Sequence, residues 1–393
     1  MVPRDLQPLL ASMLERFGVV TLTGPRQSGK STLCRATFSD LPYQTLESLD
    51  VRAFAASDPR GFLAQFPNGA VLDEIQHAPQ LLSYLQAALD EAKFRGTHGA
   101  RWVLTGSQNL TLLDSVGQSL AGRTAVLHLL PFSWNEIGQL PQPPATLDAA
   151  ILAGGYPPPF DRGIPVREWI SSYVATYVER DVRALTAVQD LGAFQSFLAL
   201  CAGRTSQLLN LSGLAADAGI AQSTARAWLS ILEATFLVFR LQPWFQNAGK
   251  RLVKSPKLHF YDTGLACWLL GIHTTDQLRT HPLRGALFET WVASEVLKHR
   301  IHRGELRAPY FYRDAGLREA DLLVDRSDRR TIAEVKSGRT VSDDAILATR
   351  RVAEALPAGP ASDRVVIFGG DESQARSDIR IIAWRDLHSI DWI

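Results

Sequence analysis

The stretch Gly24-Pro25-Arg26-Gln27-Ser28-Gly29-Lys30-Ser31 constrains this chain more than any other, because it fits G-x-x-x-x-G-K-[ST] at every fixed position and Thr32 adds a further hydroxyl. Glycine lets successive backbone N–H groups curl around phosphate oxygens, the lysine reaches the β and γ phosphates, and the serine hydroxyl is a ligand for Mg2+. The apolar "GVVTL" before the loop reads as a strand. "STLCRATF" after it reads as a helix, whose N-terminal end favours anions. A plain glycine turn between strand and helix is the bland alternative, and the flanking context speaks against it. Residues Gly24 to Thr32 are therefore expected to bind a nucleotide.

Such a loop needs an acidic strand end nearby. "GAVLDEIQ" supplies one: an apolar strand closing on Asp73 and Glu74. Asp73 is expected to place Mg2+ with Ser31, and Glu74 to polarise the water that attacks the γ-phosphate. The alternative is an acidic pair at a helix N-terminus, which suits the helix dipole. A third strand, "RWVLTGSQ", ends in Ser107 and Gln108, placed either to sense the γ-phosphate or merely to form a turn. Arg123, in "SLAGRTAVLHLLPFS", is the candidate finger for a phosphate held by a neighbouring subunit, which implies a homo-oligomer. Arg26 is its rival, and a surface arginine beside a glycine turn is the ordinary reading of Arg123.

At 393 residues the chain has room for several compact domains. Short apolar runs alternate with helical segments up to about residue 140, the pattern of a parallel sheet covered on both faces, so the fold class is α/β with a P-loop sheet first. Proline- and glycine-rich stretches, "GQLPQPPATLDAA" and "GGYPPPFDRG", interrupt the regular pattern. Residues 141–190 read as a helical connector. In residues 191–265, "LLNLSGLAADAG" and "IAQSTARAWLSILEATFLVFRLQPW" have the sequence shape of a winged helix-turn-helix. Residues 266–393 return to mixed helix and strand, beginning with an amphipathic helix, "GALFETWVASEVLKHR".

A formal net charge of +1 excludes a bulk field for nucleic acid, so any such contact must come from a local patch. Three widely spaced cysteines make neither a disulfide framework nor a zinc knuckle, which fits a reducing cytoplasm. No stretch approaches the roughly 18 apolar residues of a membrane span, so no membrane partner is expected.

"LTGPRQSGKST", "VLDEIQ", "LTGSQ", "AGRTAVLHLLPFSWNEI", "YVERDVRAL", "SPKLHFYDTGLACWLLG", "GALFETWVASEV" and "IAEVKSG" follow one another in an order that resembles the AAA-type ATPases of bacteria and archaea whose C-terminal half is a domain of unknown function. The resemblance implies an ASCE-type ATPase core, a winged-helix segment and a terminal PD-(D/E)xK nuclease-like, restriction-endonuclease-like α/β fold. It also makes ATP the expected nucleotide.

In "EADLLVDRSDRRTIAEVKSG", Asp321 falls on one strand and Glu334 and Lys336 on one face of the next, across a hairpin tip. This is the D…ExK layout of metal-dependent phosphodiesterases, in which carboxylates hold Mg2+ or Mn2+ and the lysine orients water or stabilises the developing charge. Glu289 matches the family's extra acidic residue, and Glu295 is a possible substitute. A surface ion pair at a half-exposed hairpin is the bland alternative. For DNA, the candidate contacts are Ser223, Thr224 and Arg226 on the second helix of the helix-turn-helix. Arg240, Lys250, Arg251 and Lys254, with Trp244 and Phe245 between them, surround the wing. Arg180, Asp181 and Arg183 form a further charged face. The expected function is a Mg2+-dependent, DNA-directed ATPase whose nucleotide state controls a nuclease-like domain. The alternative is a nucleotide switch for a protein partner, with a catalytically silent nuclease-like fold.

Overall fold

The computed structural model describes residues 2–96, 99–106, 116, 119–178, 190–245, 255–314, 316–357, 359–376 and 378–393. Ser107, Gln108, Arg180, Asp181, Arg183, Lys250, Arg251 and Lys254 lie outside the described residues. Among those described, no helix is long and apolar enough to cross a membrane. The chain divides into two compact units. The first comprises Met1–Pro131 with Ala234–Phe236 and Ile301–Gly304, and the second holds the remainder.

The first unit is built on a five-stranded sheet of β1 (Val19–Thr23), β2 (Tyr43–Thr45), β3 (Gly69–Asp73), β4 (Arg101–Thr105) and β5 (Ala125–His128), in the order β2-β3-β4-β1-β5. Every neighbouring pair is parallel. Alternate side chains divide between two cores. Ala70, Leu72, Trp102 and Leu104 pack with Phe62, Leu81, Leu82 and Leu85 on one face. Val20, Leu22, Val71 and Val103 pack with Leu10, Leu14, Leu33 and Cys34 on the other. Both faces being covered explains why the strands read as continuous apolar runs rather than alternating ones.

The second unit carries nine strands in one sheet, ordered β13-β14-β12-β11-β10-β9-β7-β8-β6. The strands are β6 (Gln207–Leu208), β7 (Val238–Pro243), β8 (Lys257–Phe260), β9 (Tyr310–Arg313), β10 (Glu319–Asp325), β11 (Arg329–Lys336), β12 (Ala361–Phe368), β13 (Gln374–Arg376) and β14 (Ile379–Ala383). Helices Leu211–Asp217 and Gln222–Ala234 precede the antiparallel pair β7/β8. A parallel step from β7 to β9, with Gln242 against Tyr310, joins that pair to the C-terminal strands.

The helix Arg284–Ile301 corrects one expectation. It is not amphipathic: residues 291–298 are all buried. Its polar groups are satisfied inside the unit instead of by water. Ser294 donates to the Tyr261 carbonyl at 2.6 Å, Thr290 shares a 2.7 Å hydrogen bond with Thr205, and Lys298 reaches Glu295 at 2.7 Å and the Phe132 carbonyl at 2.9 Å. Asp262 likewise caps the helix Thr263–Leu269 through the Leu265 N–H and accepts the Gly155 N–H at 2.7 Å. The phrases "GGYPPPF" and "YDTG" thus meet in packing.

Gly69 opens β3 at φ 97°, where a Cβ would collide with the Arg101 carbonyl of β4. Gly69→Ala is expected to cost about 3 kcal/mol in stability, from the left-handed backbone together with the clash. Thermal unfolding with nucleotide absent checks this, and a loss no larger than that of an exposed alanine substitution would contradict it.

Candidate functional site

The loop 24–31 leaves the C-terminal end of β1 and runs into the helix Lys30–Thr37. Gly24 has φ 142° and sits against the backbone of Leu129, leaving no room for a Cβ. Arg4, to which the sequence assigns no role, secures the loop from the other side. Its guanidinium donates to the Ser28 carbonyl and to the Leu130 carbonyl, each at 2.7 Å, and the side chain is buried.

Lys30 is folded back into its own loop. Its ammonium donates to the carbonyls of Gly24 and Pro25, both at 2.9 Å. Burial lowers its pKa to about 8, against the opposing pull of Glu74 and Asp73. The ammonium therefore occupies the hollow of the loop with carbonyl partners that a phosphate can replace.

β4 lies between β1 and β3, so the loop and the acidic strand end stand one strand apart. Three hydroxyls converge on Asp73 at the end of β3. Ser31 donates to Oδ2 at 3.0 Å, Tyr43 donates to the same oxygen, and Thr105 donates to Oδ1. Thr105 follows Leu104, which pairs with Leu72, so the parallel register alone puts it beside Asp73. A polar residue closing β4 was the available signal for it. The sequence pattern points instead to Ser107 and Gln108, further along. Tyr43 comes from β2, with the Arg35 guanidinium 3.7 Å above its ring. Burial and the hydrogen bond to Asp73 push its phenol up to about 12. Serine and threonine hydroxyls with a carboxylate make a hard oxygen set, which fits Mg2+ better than a softer ion.

Glu74 follows in the left-handed region, φ 57° and ψ 48°, and accepts a hydrogen bond from the Gln76 side chain. A non-glycine residue held there costs about 1–3 kcal/mol, a feature concentrated at functional sites. Arg123 stands elsewhere. It precedes β5, whose Ala125 pairs with Val20, whereas the loop follows Thr23 at the opposite end of β1. Its guanidinium holds both oxygens of Asp90, at 2.8 and 3.0 Å. Within its own chain Arg123 is remote from the loop.

The second acidic group forms around β10 and β11, which pair antiparallel with Leu322 opposite Ala333. Asp321 and Glu334 are thereby neighbours. Asp321 Oδ2 accepts the Val335 N–H at 2.8 Å, and Lys336 donates to Glu334 at 2.6 Å. Lys257 of β8, unassigned by sequence reasoning, enters the same cluster. Its ammonium lies 2.8 Å from Glu289, 2.8 Å from Glu319 and 3.5 Å from Asp321. Burial alone would lower the Lys257 pKa, but Glu289, Asp321 and Glu319 outweigh it and hold the ammonium above the usual lysine range. Burial, followed by the charge of Asp321, raises both Glu289 and Glu334 above the usual carboxylate range. Glu295, the possible substitute, accepts hydrogen bonds from Lys298 and from the Trp134 N–H. The carboxylates expected as a metal set, Glu289, Asp321 and Glu334, thus have lysine ammonium groups among them. Among the described residues these three are not a group with one oxygen each within 4.8 Å of one another, and one oxygen each of Glu289 and Glu334 accepts from a lysine.

On the second helix of the pair, Ser223 and Arg226 are exposed and Thr224 is half-buried, while Ala225, Trp228 and Leu229 face the core. Arg240 is tied to Glu233, and Trp244 donates to Asp325 at 2.7 Å.

Comparison with known proteins adds three family matches: an AAA domain over residues 16–138, a domain of unknown function (DUF8612) over 145–276, and a second domain of unknown function (DUF4143) over 284–387. The uncharacterized protein Rv2008c of Mycobacterium tuberculosis is 32% identical over 345 residues, spanning 86% of this chain and 75% of the relative. The uncharacterized protein Mb2031c of Mycobacterium bovis gives the same values. Among solved structures, the Walker-type ATPase PABY2304 of Pyrococcus abyssi aligns with a TM-score of 0.44 at 15% identity, covering 68% of this chain and 96% of its own. A point mutant of RuvB from Thermotoga maritima aligns with a TM-score of 0.33 at 16% identity, covering 60% and 88%. The chain belongs to the family of the mycobacterial protein Rv2008c, with an AAA-type P-loop ATPase domain followed by two domains of unknown function.

Proposed function

We propose that the first unit hydrolyses ATP with Mg2+ and that its nucleotide state is read out on DNA by the second unit. The observation that carries the hydrolysis is the convergence of Ser31, Tyr43 and Thr105 on Asp73, beside a lysine folded into a phosphate-binding loop. Gly24 to Thr32 would cradle the phosphates through backbone N–H groups, and Lys30 would exchange its two carbonyl partners for phosphate oxygens. Ser31 and Asp73 would hold Mg2+, which supplies charge neutralisation at the β and γ oxygens. Glu74 would take the proton of the attacking water. Arg123, remote from its own loop, would serve only the nucleotide of a second copy after leaving Asp90.

DNA contact rests on the helix Gln222–Ala234 read as the recognition helix of a winged helix, with exposed Ser223 and Arg226 and a buried apolar face. The reading as a switch for a protein partner, with a silent nuclease-like fold, is favoured by a different observation: Lys257 inside the second carboxylate cluster.

Lys30→Ala is expected to weaken ATP binding roughly 10- to 100-fold, the worth of a charge-assisted hydrogen bond or two. Unchanged affinity by calorimetry would remove Lys30 from the phosphate site. Glu74→Gln keeps ATP binding and lowers turnover about 100-fold or more; normal hydrolysis would exclude Glu74 as the base.

Affinity also depends on pH. In the free protein Lys30 gives up its proton as pH rises through about 8, whereas bound phosphate retains the ammonium, so binding takes up a proton above that point. ATP affinity should fall with rising pH above about 8, by up to about tenfold per pH unit, and the fall should vanish in Lys30→Ala. A flat profile in the wild type would contradict this.

Duplex DNA should stimulate turnover, and Arg226→Ala should reduce that stimulation without changing the basal rate. Stimulation by a protein partner alone would favour the switch. Arg123→Ala should slow the assembled oligomer and leave the monomer's rate unchanged; equal rates in both states would end its role as a finger.

A further inference from the structure

We propose that Lys257 is the resident cation of the second carboxylate cluster, filling with a protein ammonium the position that a divalent metal would need. The proposal deepens the partner-switch reading, because it gives the reason the nuclease-like fold would be silent.

The residue stands in "SPKLHF" and opens the fully buried strand Lys257–Phe260. A charge placed there must be paired or expelled. Its backbone is fixed on both sides, since β8 pairs Lys257 with Leu208 of β6 and with Leu241 of β7. Its ammonium lies over the Phe311 ring, 5.5 Å from the ring centre, and the side chain is 5% exposed. An ammonium has three donors, and three carboxylates surround this one: Glu289, Glu319 and Asp321.

Other groups join the cluster. The backbone N–H of Val335 takes Asp321 Oδ2, Lys336 takes Glu334, and the Arg313 guanidinium lies 3.7 Å from Glu319. Four carboxylates thus face three protein cations. A divalent ion seated between Glu289 and Asp321 would displace the ammonium from them, leaving Lys257 buried without those partners. Breaking a buried ion pair in this way is strongly destabilising, because it leaves an uncompensated buried charge. The same residue types that would make a metal site here make an internal salt-bridge cluster instead.

The test is Mn2+ binding without nucleotide, followed by electron paramagnetic resonance and by the thermal midpoint of the full chain. The wild type is expected to show no Mn2+ binding that depends on Asp321. Lys257→Met should bind about one Mn2+ per chain and regain thermal stability when it is added, because the uncovered carboxylates then gain a ligand that favours the folded state. Adding Asp321→Asn to Lys257→Met should abolish both effects.

Wild-type binding of Mn2+ that Asp321→Asn removes would overturn the proposal, and this arm stands even if Lys257→Met fails to fold. A folded Lys257→Met that neither binds Mn2+ nor gains stability would overturn it as well. Because nucleotide is absent throughout, failure here leaves the P-loop reading intact.

Discussion

Asp73 is the residue on which the first unit turns. Its two oxygens accept hydroxyls from the phosphate loop, from β2 and from β4, so four separate segments of the unit are referenced to one carboxylate. That is possible only because the strands are parallel and β4 stands between β1 and β3, bringing their C-terminal ends into line. The loop is held independently by Gly24 against Leu129 and by Arg4 on the Ser28 and Leu130 carbonyls. Preorganisation of this kind lowers the reorganisation required when phosphates arrive.

The two acidic centres use the same residue types in opposite ways. At the end of β3 the carboxylate's hydrogen-bond donors are neutral hydroxyls, while the nearby ammonium of Lys30 donates to loop carbonyls. In the second unit the carboxylates are met by ammonium and guanidinium groups of the protein itself.

Local patterns are legible in the sequence and cross-strand partners are not. The phosphate loop announces itself because glycine, lysine and serine must stand at fixed spacing on one continuous turn, and Asp73 because it closes an apolar run. Asp321, Glu334 and Lys336 can be placed on adjacent strands from period-two alternation. Arg4, Tyr43, Thr105 and Lys257 escape such reading because each acts on residues far away in the chain, and only the register of the sheets brings them near. Lys257 does leave a trace, a charge within "KLHF", whose meaning requires knowing which carboxylates face it. The helix Arg284–Ile301 reads as amphipathic because its polar residues look solvent-facing until Glu295, Lys298 and Ser294 are seen to be satisfied internally.

The central claim is that the carboxylate at the end of β3 and the loop after β1 form one hydrolytic pocket that needs Mg2+. Single-turnover hydrolysis of ATP by the purified protein, followed as Mg2+ is titrated from zero, tests it most directly. Cleavage should be absent in excess chelator and should rise to saturation as Mg2+ is restored. ATP cleaved at the same rate with and without Mg2+, or bound but never cleaved at saturating Mg2+, would contradict the assignment.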